Sequence, residues 1–310
     1  MSTVSKRIQD VPEDVYALLD SSQEHGHSAE LAAEYAMRIG GEFAKATMKR
    51  NKPREIGKMW ASDIGKPCMR YHYFNFNTPE KGEKLMGHTK FKFLYGNILE
   101  EAALYFAEEA GHDVRGQQAR LEVDLWGWKV SGRIDAIVDD VLMDVKSASV
   151  YSFNKYRKEG VTRANDTFGY LYQLAFYKEF SYANPDMAGV DEEQQAFLFI
   201  DKQNGHLCVI EVQDELPSKD ELLERIGQII KSATGTERDA PRAYSPQPYG
   251  KSGNMALGIG CSYCAYKEHC WRDSNGGKGL RGFAYNHKPV WFTDVAREPK
   301  VPEITGDDNE

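Results

Sequence analysis

Residues 132–149, GRIDAIVDDVLMDVKSAS, place two acidic side chains, Asp135 and Asp144, in adjoining apolar runs with Lys146 just beyond. Read as strands, Trp128, Val130, Ile134, Ala136 and Val138 alternate with Lys129, Ser131, Arg133 and Asp135, and Val141, Met143 and Val145 alternate with Leu142, Asp144 and Lys146. Strand side chains change face with a period of two. With Asp139-Asp140 as a two-residue turn, Val138 meets Val141, Ala136 meets Met143 and Ile134 meets Val145, which gives one apolar face. On the other face Asp135 lies opposite Asp144, and Arg133 opposite Lys146. Opposed side chains of an antiparallel pair stand roughly 5 Å apart at Cβ, where like charges repel. One carboxylate must then hold a proton, or a cation must sit between the two. A slipped register would make both Asp ordinary solvent-face residues, and Asp-Asp is a weaker hairpin turn than Asn-Gly. A slip also breaks the apolar pairing, so the opposed register is preferred and the pair is a candidate metal site.

The elements around this hairpin have to position it. Residues 91–110 read as the clearest helix, with Phe91, Leu94, Tyr95, Ile98, Ala102 and Tyr105 at helical spacing and Gly111 as its stop. It carries Glu100, with Gly96 one turn earlier on the same face, so no side chain covers the carboxylate from that side. A plain surface Glu is the bland alternative. Residues 28–50 form an amphipathic helix capped by Ser28 and weakened by Gly40-Gly41. Strands are expected at 119–125, 128–138 and 141–146, helices near 150–159 and 167–180, two strands around an Asn204-Gly205 turn within 194–212, and a helix at 218–235. This is an α/β chain with a mixed central sheet flanked by helices.

Four short motifs then occur in order: Gly-x-x-x-Glu on a helix, GRID, DVK and QLAFY. Their succession, within roughly residues 60–275, resembles the RecB-like branch of the PD-(D/E)XK nuclease superfamily, with its restriction-endonuclease-like core. The resemblance implies that Glu100, Asp135 and Asp144, with the Val145 backbone carbonyl, ligate Mg²⁺ or Mn²⁺. Lys146 matches the lysine of the (D/E)-x-K motif, and Gln173 and Tyr177 match a Gln-x-x-x-Tyr motif near the active site and the nucleic-acid strand. Glu100 stands where that branch usually has His, which favours an oxygen-loving cation. Such a cation, held by carboxylates, neutralises a scissile phosphate and makes water nucleophilic. Lys146 would orient or deprotonate that water, or stabilise developing charge; a plain ion-pair partner is the weaker alternative.

The five cysteines include Cys261, Cys264 and Cys270 in GIGCSYCAYKEHCW, a spacing that lets thiolates grip one centre and calls for a fourth. Cys208 sits among apolar strand residues and reads as a small core side chain. Cys68 precedes MRYHYF at the entrance to the core, and His269 reads as a mere neighbour of Cys270. One cysteine upstream and three downstream is similar to the iron–sulfur nucleases of this branch, CRISPR-associated RecB-like exonucleases among them. The resemblance implies a [4Fe–4S] staple joining the ends of the domain; a structural Cys₄ zinc stays open. Cys68 and Cys261 are 193 positions apart. Treated like a disulfide, such a link would contribute on the order of 4 to 5 kcal/mol.

The formal net charge of -8 argues against a generic nucleic-acid coat, yet a nuclease needs only acidic ligands and a local basic track. Residues 49–58 carry five basic residues and one acidic; Lys155, Arg157, Lys158 and Arg163 form a second track, and Arg70 follows Cys68. These are the expected DNA contacts, though such runs are commonly solvated faces. No apolar run reaches 18 residues and no secretory signal opens the chain, so a cytoplasmic, membrane-free protein is expected. The expected division is 1–59 helical, 60–235 nuclease core, 236–290 loop-rich cysteine segment and 291–310 disordered acidic tail. The function these features suggest is a phage- or mobile-element-type DNA exonuclease acting on free ends in recombination, replication or degradation. It would work as a possible homo-oligomer with a recombinase, a single-strand-binding protein or an integrase. The rivals are a CRISPR adaptation nuclease and a nuclease-dead DNA-binding or assembly subunit; the intact Glu100, Asp135, Asp144 and Lys146 argue against the latter. No Walker motif is present.

Overall fold

A computed structural model of the chain describes residues 6–21, 28–48, 55–78, 87–285 and 288–304. The elements begin α1 (Val11–Asp20), α2 (Ala29–Thr47), β1 (Lys58–Trp60), α3 (Ala61–Ile64), α4 (Met69–Asn77), α5 (Gly87–Glu109), β2 (Val114–Arg115), β3 (Arg120–Leu125), β4 (Trp128–Arg133), β5 (Ala136–Val138) and β6 (Val141–Ala148). They continue α6 (Val150–Glu159), α7 (Tyr170–Glu179), β7 (Gln195–Asp201), β8 (Leu207–Glu211), α8 (Lys219–Thr234), β9 (Gln247–Pro248), β10 (Met255–Ala256), β11 (Arg281–Tyr285) and β12 (Lys288–Asp294). Two compact units share the chain. The first draws on described residues within Met1–Asn51, Gly57–Lys66 and Leu85–Arg225, the second on those within Lys52–Ile56, Pro67–Lys84 and Ile226–Glu310. The units are interleaved along the sequence, whereas the expected division was linear.

The first unit contains a mixed sheet in the order β2-β5-β6-β7-β8, with β6 and β7 parallel and the other neighbours antiparallel. The β5–β6 hairpin has the expected register, Val138 opposite Val141 and Ala136 opposite Met143. Its turn residues both take left-handed backbone, φ 49° at Asp139 and 66° at Asp140. That conformation normally favours Asn-Gly. Here local charge holds it: His112 Nδ1 lies 2.6 Å from Asp139, Asp113 N donates to Asp139 at 3.1 Å, and Arg115 pairs with Asp140 at 2.8 Å.

The expected single strand 128–138 is two strands in two sheets. β4 belongs to a separate sheet, β1-β4-β3, where Arg133 pairs with Arg120 and not with Lys146. At the break, Ile134 N donates to Ala119 O at 3.1 Å and Gln118 N to Asp135 O at 3.2 Å. The ladder facing β6 stops at Ala136, so the Ile134–Val145 and Asp135–Asp144 backbone pairs do not form. Nor is one face of β6 open to water. Val141, Met143 and Val145 pack with Val11, Val15, Leu104 and Ala107, while on the other face Tyr156 of α6 meets Phe199 and Tyr170 of α7 meets Phe197. Helices on both faces explain why β7 is buried at every residue.

Helix α2 begins as expected, with Ser28 Oγ accepting from Leu31 N, and runs through Gly40-Gly41 unbroken. Gly111, φ 90°, follows the end of α5. The first half of α5 departs from the expected apolar stripe: Phe91, Phe93 and Tyr95 are exposed, while Ala103, Leu104 and Ala107 are buried in the core and Leu99, Tyr105 and Phe106 pack against it. Gln195–Asp201 and Leu207–Glu211 are joined by a five-residue loop with Gly205 at φ 74°, longer than the expected two-residue turn.

The second unit corrects the expectation of a loop-rich segment and tail. It holds a sheet in the order β11-β12-β10-β9, with Phe283 opposite Val290. The chain remains ordered past 291, where Glu303 bridges to Phe283 and, with Glu298, takes the Arg281 guanidinium at 2.6 Å. Asp307, Asp308 and Glu310 lie outside the described residues. Cys261, Cys270, Phe74, Tyr266 and Trp271 form a core cluster there.

Two glycines in the first unit mark backbone contacts that a methyl group would break. A Cβ on Gly132, the Gly of GRID, would lie 2.6 Å from the Tyr177 ring and 2.8 Å from Ala61 Cβ. One on Gly65 would lie 2.1 Å from the Gly169 carbonyl oxygen. Gly132→Ala is expected to cost about 1–3 kcal/mol by overpacking. Gly65→Ala should cost at least as much, since backbone must move. Urea denaturation checks both, and Tyr177→Leu should recover part of the Gly132→Ala loss, as coupled neighbours do.

Candidate active site

Helix α5 reaches the sheet because Gly96 faces β6: a Cβ there would stand 3.0 Å from Ser147 Oγ. One turn on, Glu100 accepts a hydrogen bond from Gln118 Nε2 at 2.9 Å. Asp135 lies at the strand break, where its carboxylate accepts from Val145 N at 2.7 Å, taking the place of a ladder carbonyl. Asp144 and Lys146, two apart on β6, share a face and form an ion pair. Asp144 is 1% exposed; its Oδ2 meets the Lys146 ammonium, and its Oδ1 is buried with no hydrogen-bond donor.

Burial and neighbouring charges govern the protonation of Glu100, Asp135 and Lys146. Burial first, then the Asp135 charge, pushes Glu100 up to about 9. Burial and the Asp144 charge push Asp135 up to about 7. Burial alone would lower Lys146, but Asp144 and Asp135 outweigh it and hold the ammonium well above its usual range. These shifts have the two causes expected of buried like charges beside one cation. The sequence-predicted carboxylates and lysine are thus brought together, with Asp135 and Asp144 adjacent through side chains rather than a strand register.

Gln173 and Tyr177 share one face of α7, and Gln173 Nε2 donates to the Tyr177 hydroxyl at 3.1 Å. Tyr177 is buried, and burial together with the nearby Asp144 charge raises its phenol. Two neighbours escaped the sequence reading. Tyr170 places its ring 5.1 Å from Lys146 Nζ, and Gln118, at φ 58°, orients Glu100. Tyr170 carried a signal, since it precedes Gln173 by three positions on the same helix.

The expected DNA contacts divide. Arg163 is an anchor, bound to Glu221 at 2.8 Å and to the carbonyls of Glu215 and Leu216. Arg70, in the second unit, is bound to Glu237 at 2.9 Å and to the Ala240 carbonyl. Lys155 reaches Asn165 O at 3.4 Å and lies over Tyr156. Arg157 and Lys158 are exposed at the end of α6. Of the 49–58 track, residues 49–54 lie outside the described residues.

Cys68, Cys261, Cys264 and Cys270 all belong to the second unit, and Cys208, half-buried on β8, to the first. Burial, then the Cys68 and Cys264 charges, pushes the Cys261 thiol up to about 12; burial pushes Cys264 and Cys208 up to about 11. His269 meets the Phe74 ring edge-on at 4.9 Å. Among the described residues, no three His, Cys, Asp or Glu side chains are grouped so as to hold a metal ion, and this covers thiols and carboxylates alike. The carboxylate set nonetheless fits a hard cation chemically. Asp144 Oδ1 is buried with no hydrogen-bond donor, and Glu100 and Asp135 hold protons that a cation would displace. Among the described residues no helix is long and apolar enough to cross a membrane.

No curated protein matches the chain. Among solved structures, that of SSO0001 is similar at 13% identity and TM-score 0.42, covering 74% of this chain and 93% of that one. The family profile of the PD-(D/E)XK nuclease superfamily matches residues 78–271, more than half of the chain. That span encloses Glu100, Asp135, Asp144, Lys146, Gln173 and Tyr177, and the chain belongs to the PD-(D/E)XK nuclease superfamily.

Proposed function

We propose that the protein is a divalent-metal-dependent DNA exonuclease of the RecB-like branch. The observation that carries this is that the partly buried Glu100 and Asp135 and the buried Asp144 lie within electrostatic reach of one another, with Lys146 paired to Asp144. Glu100, Asp135, Asp144 and the Val145 carbonyl would hold Mg²⁺ or Mn²⁺, which when bound neutralises phosphate charge and acidifies water. Lys146 presents its ammonium beside Asp144, where it steadies charge on the phosphate oxygens as water adds and the P–O bond breaks. Gln173 and Tyr177, locked together on α7, border that charge and position the strand. Arg157 and Lys158 supply exposed positive charge for backbone phosphates.

We propose further that Cys68, Cys261, Cys264 and Cys270 ligate a [4Fe–4S] cluster. What supports it is donor chemistry: four thiols of one unit, each within electrostatic reach of Cys68 or its neighbours, and three of them in one aromatic cluster. Zinc would use the same thiols.

End-labelled linear DNA should be degraded with Mg²⁺ or Mn²⁺ while circular DNA survives. Asp144→Ala or Lys146→Ala should abolish degradation and leave DNA binding intact. Cleavage of circles would replace the exonuclease assignment with an endonuclease; wild-type rates in either variant would move the site elsewhere.

Without divalent metal, stability should fall with rising pH. Glu100 and Asp135 bind protons more tightly when folded, so their contribution is complete below pH about 4 and is lost as pH rises through about 7 for Asp135 and about 9 for Glu100. Thermal melts in EDTA from pH 5 to 9 should show the fall. Glu100→Gln should flatten it, and Mg²⁺ should restore more stability at pH 9 than at pH 6.

Protein purified without oxygen should carry four iron atoms per chain and be brown. Cys68→Ser or Cys264→Ser should lose iron and Tm, and Cys208→Ser should lose neither. One zinc and no iron would settle the centre as structural zinc.

A further inference from the structure

The loop between α6 and α7 is fixed from several sides, yet it leaves a large apolar side chain in water. Asp166 accepts hydrogen bonds from the backbone of Gly169, Tyr170 and Leu171 at 2.8, 3.0 and 2.9 Å. Asn165 is tied to Thr162 and Gly160, Lys155 reaches the Asn165 carbonyl, and Arg163 binds Glu221 on α8. Gly169, at φ 77°, packs backbone to backbone against Gly65. On this scaffold Phe168 is 56% exposed and stacks on Tyr170, ring centroids 5.4 Å apart and planes 27° from parallel. Tyr170 in turn lies over Lys146, 5.1 Å from its ammonium, with Phe197 behind it at 5.9 Å.

A continuous line therefore runs from the candidate catalytic lysine through one aromatic ring to a second ring that faces water. A nucleic-acid substrate offers two surfaces, charged phosphates and flat bases. Lys146 suits the first, and a preformed aromatic face suits the second, since every base has a π-face and stacking is tolerant of sequence. Inside a duplex both faces of each base are stacked on its neighbours, whereas an unpaired base can turn a face out to meet the ring.

We propose that Phe168, braced by Tyr170, is a stacking platform for an unpaired base flanking the phosphate at Lys146, which makes the preferred substrate a single strand or a frayed end. This rests on the nuclease reading above and adds a substrate class and a positioning residue to it. The basic residues Lys155 and Arg163 then serve DNA indirectly, by holding the loop that presents the ring.

The test compares wild type, Phe168→Ala, Phe168→Leu and Phe168→Trp in EDTA, where cleavage is off. Affinity for a fluorescent single-stranded oligonucleotide and a blunt duplex is measured across a salt series. Phe168→Ala and Phe168→Leu should weaken single-strand binding roughly 5- to 150-fold. The slope of log affinity against log salt should stay unchanged, because no phosphate contact is lost. Duplex binding should change little. Phe168→Trp should keep wild-type affinity and lose tryptophan emission when the single strand binds. Unchanged single-strand affinity in Phe168→Ala would overturn the platform, and so would an equal loss on duplex or a shallower salt slope. In those cases wild type still cleaves DNA in Mg²⁺ and the nuclease assignment stands. A wild type that neither binds nor cleaves DNA removes both.

Discussion

The Asp144–Lys146 ion pair inside the central sheet is the constraint on which the first unit depends. Charges withdrawn from water are costly, and stripping one partner from a buried pair costs about 3–5 kcal/mol. Placing the pair at positions two apart on β6 puts both groups on one face and demands cover over it. Helix α7 provides that cover with Tyr170 against the ammonium and Tyr177 near the carboxylates. The opposite face of β6 is closed by α1 and the second half of α5. One lysine faces three acids there, so the arrangement is short of positive charge. Burial without enough cations is a poor way to gain stability, but it would suit a divalent ion, for which the protons held by Glu100 and Asp135 could be exchanged.

The break at Ile134-Asp135 follows from the same need. In a continuous strand Asp135 would project from the ladder at the position its pleat dictated. Ending the strand at Arg133 and starting another at Ala136 lets the carboxylate itself take the Val145 amide at 2.7 Å. That hydrogen bond steadies the ionised form of Asp135 against the pull of burial and Asp144. The preceding Gly132 lies under the Tyr177 ring, so one short motif both places an acid and admits the tyrosine that borders it. The order of motifs in the chain is thus an order of steric permissions as much as of acidic side chains.

How far this could be read from sequence depended on range. The β5–β6 register was legible because apolar pairing fixes it locally, and so were the Ser28 cap and the end of α5 near Gly111. The strand break was not, since apolar alternation runs unchanged through Ile134 while the hydrogen bonds that divide it come from residues 118 and 119. Arg163 and Arg70 looked like a nucleic-acid track because a charge run does not reveal Glu221 or Glu237, 58 and 167 positions away, as partners. The sheet of the second unit was hidden because β9 and β10 are two residues each and β10 pairs with β12, some forty positions away. The face of α5 that carries Phe91 and Tyr95 has the right period, but periodicity reports a stripe and not whether anything covers it.

The second unit bears on what a thiol-bound centre would contribute. Segment 67–78 already joins the chain beyond 226 without one. Arg70 N donates to Pro241 O at 3.1 Å, Tyr266 donates to Asn75 at 3.1 Å, Asn77 to Ala233 O at 2.7 Å, and Phe74 packs on Tyr266 and His269. Arg242 stacks on Trp271 at 3.9 Å and donates to Cys270 Sγ at 3.3 Å, a contact that opposes the upward push of burial on that thiol. A staple joining Cys68 to Cys261 acts mainly on the unfolded chain, whose freedom it removes, so these native contacts neither replace nor duplicate its effect. Folding of the unit and its stability are therefore separable: the polar and aromatic contacts specify the fold, and a bound centre would raise the cost of leaving it.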